Sequence, residues 1–346
     1  MSFSLRDGGY LRWLKLVKYT LDCQNRMKYT IKFLLIIIFL YSCKENKKIP
    51  IEILKTPINV DVIRFDRELA VATESSLPIL KKQYPYFFPA QYPDSLWIAN
   101  LSDTLQLELL SEVDSVFTDF EKEKEEITLF YKHWLYYFPE SKPMPKVVTM
   151  ISKVDYQYRI IVTDSLALVA LDSYLGQDHK FYKRIDRYIA TELDPIYVLP
   201  DLADAFIATK VPPPMERTFL SQMIYYGKKL YLADLLLPWR DDTDKIKYTQ
   251  EQLDWARANE DPIWRYYIER ELLYSTDQGL APRFLNDAPF SKFRLELDNE
   301  SPGRIGQYIG WQIVRAFMEN NDVEVHQMLN LSGRDIFMRS KFKPKK

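Results

Sequence analysis

An unbroken apolar run near the N-terminus, Phe33–Leu40, decides how much of this chain can belong to a folded domain. The run is too short for a transmembrane helix, which needs about 20 apolar residues. Lys28 and Lys32 precede it and a polar stretch follows it, which is the pattern of a secretory signal peptide. We therefore expect residues 27–42 to be a signal peptide and the fold to be encoded downstream of it.

Cys43 lies just after this apolar run, with Ser42 directly before it and Leu40 three residues before it. This spacing resembles the lipobox of bacterial lipoproteins, from which Tyr41 departs because a smaller residue is usual there. The resemblance implies that the Cys43 thiol accepts a diacylglyceryl group and that acyl chains then anchor the protein to a membrane. The alternative is an uncleaved anchor or a buried helix that happens to end in cysteine.

The chain divides by composition into a leader, a tether and a body. Residues 1–26 precede Met27, which is an ordinary start for such a signal peptide, so they are interpreted as an over-extended start or a long leader. Residues 43–58 are charged at first and contain two prolines, which predicts a tether. The remaining residues, 59–346, show no internal repeat, and we predict that they form a single globular domain.

Charge and cysteine content exclude two classes of site from the body. Downstream of residue 42 the chain carries six more acidic than basic residues. This balance gives no electrostatic reason to expect nucleic-acid binding. Both cysteines, Cys23 and Cys43, lie in the N-terminal segment. The body therefore has no cysteine for a disulfide, a cysteine-based zinc site or a thiol nucleophile.

Hydrophobic periodicity predicts an α+β body that is predominantly helical, with one small sheet. Thr249 with Gln252 forms a capping-box pattern, and Ser301–Pro302 is expected to begin the last long helix. The predicted strands are 59–66, 146–152, 158–163 and 165–172. The predicted helices are 105–138, 182–193, 199–208, 215–237, 249–258, 262–274 and 301–318.

No catalytic motif is present in the sequence. The three histidines, His133, His179 and His326, are far apart, and none stands in the HExxH pattern of zinc peptidases. The GxSxG elbow, the P-loop and the GxGxxG loop are also missing. The acidic group at 241–244 lacks the glycine and the terminal glutamate of an EF-hand, and it is interpreted as a solvated turn. We therefore expect no enzymatic activity, no cofactor and no metal.

Three of the nine glycines cluster in the segment SPGRIGQYIGWQIVRAF. Gly306 and Gly310 are four residues apart, so they open one side of the predicted helix to close approach by another element. Arg304 and other polar side chains exclude a membrane-embedded dimer helix. We interpret Gly306 and Gly310, with Trp311 and Arg304 beside them, as sites of internal packing or of contact with a partner protein.

Several blocks of the chain resemble one known family, the gliding motility lipoprotein GldB family. The blocks are LSQMIYYGKKLYLADLLLP (220–238), YTQEQLDWARANEDPIWRYYIERELLYSTD (248–277), RFLNDAPFSKF (283–293), SPGRIGQYIGWQIV (301–314) and SKFKP (340–344). The resemblance spans the chain from Met27. It implies an envelope lipoprotein that gliding motility and type IX protein secretion require. It also implies other envelope proteins of that machine as partners, and a location at the periplasmic face of the outer or inner membrane.

The family is also similar in organisation to predicted zinc peptidases, which implies a zincin-like helical domain. The active-site helix would fall within Val198–Ala208, which contains no histidine and no glutamate. Tyr226 stands directly before Gly227, where that layout would have an acidic metal ligand. The resemblance therefore implies a degenerate peptidase-like fold that has lost its metal and acts as a non-catalytic assembly component.

Two alternatives remain open for the body. The first is a metallopeptidase with atypical ligands such as His179, Glu192 and Asp201. The second is a periplasmic module that binds a small molecule or a glycan, because tyrosine and tryptophan are abundant. Asp201 and Asp204 share one face of a predicted helix, where they either bridge a cation or complement the dipole at the helix start.

Overall fold

The computed structural model describes residues 49–295 and 298–346 of the chain. The predicted leader, the signal peptide and Cys43 lie outside the described residues. The strands are β1 (Val62–Arg64), β2 (Lys146–Met150), β3 (Ile160–Val162) and β4 (Leu166–Ala170). The α-helices are α1 (Ile51–Leu54), α2 (Phe65–Ala70), α3 (Leu77–Gln83), α4 (Asp94–Leu101), α5 (Thr104–Val116), α6 (Glu121–Tyr137), α7 (Arg187–Ala190), α8 (Val198–Ala208), α9 (Phe219–Leu236), α10 (Asp242–Ile246), α11 (Gln250–Ala258), α12 (Glu260–Glu269), α13 (Leu280–Phe284), α14 (Ile305–Asn320), α15 (Val325–Asn330) and α16 (Gly333–Ser340). The predicted class, α+β with predominant helix and one small sheet, is confirmed.

The four strands form one sheet in the order β1-β2-β4-β3. β2 pairs in parallel with β1 and with β4, whereas β3 pairs antiparallel with β4. Val147 and Val148 of β2 point to opposite faces of the sheet and are both fully buried, as expected for a central parallel strand that is covered on both faces. Helix α8 packs against β3 and β4. The sheet therefore has β3 at one edge, directly beside α8.

The most extensive helix–helix contact joins α9 and α14. Gly227 of α9 lies against the backbone of Gly310 in α14, and Gly310 in turn lies against the carbonyl group of Met223. A Cβ atom on either glycine would come closer than 3.0 Å to these backbone atoms. Only glycine permits this approach, so the glycine pair sets how closely the two central helices pack.

Trp311 of α14 is fully buried beside this contact. Its indole Nε1 donates a hydrogen bond to Asp234 at 2.9 Å, and the guanidinium of Arg315 lies 3.7 Å from the centre of its ring. Arg315 donates to both Asp234 and Asp242. The solvated turn predicted at 241–244 is therefore wrong: Asp242 begins α10, where its ion pair with Arg315 attaches that helix to α14.

The folded body begins earlier than the sequence predicts. Ile53 of α1 is fully buried, and Lys132 of α6 donates a hydrogen bond to the carbonyl of Leu54 at 2.8 Å. Helix α1 therefore packs on α6, although its residues belong to the predicted tether, 43–58. These residues fold instead of forming a free tether because burial of the Ile53 side chain contributes roughly 2 kcal/mol to the free energy of folding.

Hydrophobic periodicity did not reveal a break in one predicted helix or the later start of another. The helix predicted over 105–138 divides into α5 and α6, because Phe117 and Phe120 both turn into the core and Phe120 takes a left-handed backbone conformation with φ 57°. The helix predicted over 301–318 begins only at Ile305, since Arg304 is also left-handed, with φ 58°. Ser301 is buried in the preceding loop, so it does not cap that helix.

Two shorter elements also differ from the prediction. The strand predicted over 59–66 is limited to β1, because Phe65 begins α2 and is buried there. The helix predicted over 182–193 is reduced to α7. Its first predicted residue, Tyr182, is buried and donates a hydrogen bond from its hydroxyl to the carbonyl of Asp172 at 2.7 Å, which holds this segment as a loop. Within the described ranges, no helix is both long and apolar enough to span a bilayer.

His133 of α6 gives the body a predicted sensitivity to acid. The side chain is buried, its Nδ1 lies 3.0 Å from the carbonyl oxygen of Leu235, and its Nε2 has no hydrogen-bond partner among the described residues. Burial lowers the pKa of His133, whereas the unfolded chain titrates near about 6.5. The unfolded state therefore binds more protons in acid, and the free energy of unfolding should decrease as the pH falls below about 6.5.

A His133→Gln variant isolates this effect, because glutamine can donate to the same carbonyl without titrating. We expect the melting temperature of the wild type to decrease more steeply between pH 7 and pH 5 than that of the variant. Equal slopes in a thermal melt followed by circular dichroism would contradict the neutral, buried state of His133.

Candidate functional site

A cavity of about 700 Å³ opens beside α8, α9 and the first turn of α14. Its wall also includes the start of β3, parts of α7 and α10 with the residues that follow them, and residues 285–287. Its volume lies within the range of small-ligand and peptide side-chain sites. Nine charged side chains line the cavity: Arg159, Glu192, Asp201, Asp204, Lys229, Lys245, Lys247, Asp287 and Arg304.

Asp201 lies in the first turn of α8 and is 7% exposed. Arg159 donates from Nε to its Oδ2 at 2.6 Å, and the hydroxyl of Tyr174 donates to the same oxygen at 2.8 Å. Lys247 donates from Nζ to the other carboxylate oxygen. Both oxygens of this buried carboxylate are therefore occupied by donors, two of which are cations.

Glu192 lies in the loop before α8 and faces the same cations. Its carboxylate is 2.9 Å from Arg304, 3.2 Å from Arg159 and 3.6 Å from Lys247. We refer to Arg159, Glu192, Asp201, Lys247 and Arg304 together as the ion cluster. All five side chains are at least 85% buried, since their exposed fractions do not exceed 15%. With three cations and two anions, the cluster has a formal charge of about +1.

The electrostatics of the ion cluster keep both acids ionised. Burial alone would raise the pKa of Asp201, but the charges of Lys247 and Arg159 outweigh it and lower that pKa to about 2. Burial would also raise the pKa of Glu192, but the charges of Arg304 and Lys247 outweigh it and lower that pKa. A carboxylate whose pKa is lowered is a weaker base, so neither group is suited to general-base chemistry near neutral pH.

The backbone at two cations of the cluster is unusual. Lys247 follows α10 with φ 56°, and Arg304 precedes α14 with φ 58°. Non-glycine residues rarely adopt this left-handed conformation, which costs about 1 to 3 kcal/mol and persists where the surroundings over-determine it. Arg304 also donates to the carbonyl of Lys247 at 3.2 Å. The ion pairs and this hydrogen bond hold the two turns against each other.

The acids at the rim of the cavity are more exposed than the cations they pair with. Arg304 is 15% exposed, whereas Asp287, which lies 3.2 Å from it, is 66% exposed. Lys229 of α9 is also 15% exposed, and its partner Asp204, at 2.8 Å, is 55% exposed. In each of these two pairs the cation is therefore largely buried and its carboxylate lies at the rim.

The atypical metal-ligand set does not come together. His179 lies 3.4 Å from Glu112 and packs against Phe181 and Tyr182, whereas Glu192 and Asp201 pair with the cations of the ion cluster. In residues 49–295 and 298–346 there is no group of three or more histidine, cysteine, aspartate or glutamate side chains that could hold a metal ion.

The glycine-rich segment has two different roles in the structure. Gly306 lies against Leu285 and the carbonyl of Phe284, where a Cβ atom would come within 2.8 Å and 3.0 Å of them. Gly306, Gly310 and Trp311 thus face the interior, which corresponds to the packing interpretation. Arg304 alone of these four residues lines the cavity.

Sequence reasoning named Glu192 and Asp201 together as candidate metal ligands and Arg304 as a packing or partner-contact residue, but it missed Arg159 and Lys247. Neither missed residue stands in a motif. Arg159 precedes a strand of three residues, and Lys247 ends a helix of five. The sequence signal for Arg159 was a basic residue beside a short apolar run, which is too common to indicate a site, and Lys247 lies beside no such run.

Comparison with known proteins gives one family. A family model described as gliding motility protein GldB matches residues 46–344. This range includes every residue of the ion cluster and the packed glycines of α14. No curated protein and no solved structure matches the chain.

Proposed function

The chain belongs to the family of the gliding motility protein GldB, and from this premise we propose a non-catalytic role in an envelope machine. The chain is a lipoprotein anchored through Cys43, with its body at the periplasmic face of the outer or inner membrane. It contacts other proteins that gliding motility and type IX secretion require. The observation that supports a binding role over catalysis is the ion cluster, whose acids are already paired with cations.

The position of the ion cluster also supports a degenerate peptidase-like body. The cavity lies against α8, where a zincin-like layout would have its metal ligands, and Tyr226 of α9 lines the same cavity. Arg159 and Lys247 bring two positive charges to Asp201. Positive charges at this distance repel a divalent cation, so the described residues favour a cavity without a metal.

Capture of partners tests the proposed role directly. The full chain, tagged at its C-terminus, is cross-linked in gliding cells and purified from their membranes beside an untagged control. We expect defined envelope proteins to be enriched, and we expect deletion of the gene to abolish gliding and secretion. Recovery of the chain as a monomer, from cells whose deletion mutant glides and secretes normally, would contradict the proposal.

Metal analysis of the purified full chain separates this role from a metallopeptidase. We expect far less than one zinc ion per chain, and no change on replacing His179 with alanine. Stoichiometric zinc that is lost in His179→Ala would favour the metallopeptidase.

A second candidate function is binding of a small molecule or a glycan. One observation favours it: the cavity is lined by three tyrosines, Tyr156, Tyr188 and Tyr226. Aromatic side chains with a polar end suit sugar and small-molecule contacts. A thermal-shift screen of monosaccharides, oligosaccharides and metabolites tests it. A rise of several degrees with one compound would support this candidate, and no response across the screen would remove it.

A further inference from the structure

The edge strand β3 has backbone groups that no strand pairs. Arg159 accepts a hydrogen bond from a β4 amide at 2.9 Å, and Thr163 donates to a β4 carbonyl at 2.8 Å. Successive residues of an antiparallel strand alternate in direction, so Ile161 also faces β4. The N–H and C=O groups of Ile160 and Val162 therefore point away from β4. Because β3 ends the order of strands in the described sheet, no described strand pairs with these groups, and we refer to this side of β3 as the free edge.

This free edge opens onto the cavity of the ion cluster. Ile160 and Arg159 both line the cavity, and Ile161 is 40% exposed on the strand. An exposed edge strand is a template for pairing with a further extended chain. A chain added along β3 would lie beside Arg159 and Ile160 at the start of the strand, so its side chains there would face the charged cavity.

The charges of that wall favour an acidic side chain. Arg304 and Lys229 are largely buried, whereas their rim partners, Asp287 and Asp204, are more than half exposed. An ion pair with such an exposed carboxylate contributes little stability, because solvent screens the attraction between the two charges. A carboxylate that enters the cavity can therefore replace Asp287 or Asp204 at small cost. The net positive charge of the ion cluster then attracts it.

From these observations we propose that the cavity and the edge of β3 together bind an extended acidic segment of a partner polypeptide. The backbone of the segment pairs with Ile160 and Val162, and its carboxylates bind Arg304 and Lys229. This inference rests on the proposed interaction function and specifies the chemistry of the partner. A neutral segment would gain the backbone hydrogen bonds alone.

Fluorescence anisotropy with the full chain in detergent tests the site. The probe is a fluorescein-labelled peptide of eight residues that alternates threonine with glutamate. One matched peptide has glutamine in place of glutamate, and another has N-methylated glutamates that cannot donate backbone hydrogen bonds. We expect the acidic probe to bind about tenfold more tightly than either matched peptide, since charge-assisted bonds and strand pairing are both needed. Free glutamate should not displace it.

Variants of the protein separate the two parts of the site. Val162→Pro removes an N–H group that faces the free edge, where proline is tolerated, while Val162→Thr keeps that group as the control. We expect the proline variant to weaken binding about tenfold and the threonine variant to leave it unchanged. Lys229→Gln should also weaken binding.

Asp287→Asn should tighten binding about threefold, because it frees Arg304 from its rim partner. If Asp287 had only a structural role, its replacement would not increase the affinity for the acidic peptide.

Three results would overturn the inference: equal binding of the glutamine peptide, no effect of Val162→Pro, or displacement of the probe by free glutamate. The last result would mean a pocket for a single anion. These outcomes are separable from the proposed function, which the capture of partners tests. Partners captured without peptide binding would overturn only the inference, and peptide binding without partners or a motility defect would overturn only the function.

Discussion

Replacing Gly310 with alanine is expected to lower the melting temperature of the body by several degrees or to prevent folding. The new Cβ atom would lie closer than 3.0 Å to the carbonyl oxygen and carbon of Met223. Both atoms belong to the backbone of α9, so no change of rotamer relieves the overlap and the two central helices must separate. We expect a loss of at least about 3 kcal/mol, which corresponds to roughly 6 °C for a body of this size.

Gly279→Ala is the matched control for this substitution. The atom nearest to its Cβ would be a carboxylate oxygen of Asp277, at 3.2 Å, and that side chain can move. We expect its free energy of unfolding to stay within about 0.5 kcal/mol of the wild type. Thermal melts of both variants, followed by circular dichroism, give the comparison. If Gly310→Ala has the same melting temperature as the wild type, α9 and α14 do not approach each other as described.

Replacing Asp201 with asparagine is expected to destabilise the body by about 3 to 5 kcal/mol at pH 7, because Arg159 and Lys247 would remain buried with Glu192 as the one carboxylate of the ion cluster. Asp204→Asn is the control on the same helix. Its carboxylate is 55% exposed and pairs only at the rim, so we expect a loss of at most about 1 kcal/mol. Similar losses for the two variants in urea unfolding would contradict the buried ion cluster.

The pH dependence of the stability difference between the wild type and Asp201→Asn gives a second test. The pKa of Asp201 is lowered to about 2 in the folded state, below the value of about 3.9 in an unfolded chain. The stability that ionised Asp201 contributes is therefore fully present above about pH 4 and is lost as the pH falls toward 2. We expect the wild type and Asp201→Asn to differ at pH 5 and to converge near pH 2. A constant difference across this range would contradict the low pKa.

The features of the fold that sequence predicts are those encoded by neighbouring residues. The Thr249–Gln252 capping box is confirmed, since both of its reciprocal hydrogen bonds are present. The close approach that Gly306 and Gly310 permit also follows from local spacing, because residues four apart share one face of a helix. The helical class follows for the same reason: periodicity over one helix is visible within a single segment.

The features that sequence did not predict depend on contacts between distant segments. The break at Phe120 arises because Phe117 and Phe120 are both drawn into the core, and this preference is stronger than the local helix propensity. The ion cluster joins residues between 159 and 304, none of which stands in a motif. Only the folded chain shows that Glu192 and Asp201 share their cations, because no local pattern encodes that proximity.

The most direct test of the tethered, non-catalytic role is the gliding speed of cells whose only copy of the chain carries Cys43→Ser. The measurement is paired with fractionation of the cells and a thermal melt of the purified variant. We expect a body that melts like the wild type, that no longer sediments with membranes, and that fails to restore gliding to a deletion strain. A serine variant that stays with the membranes and restores normal gliding would contradict the account.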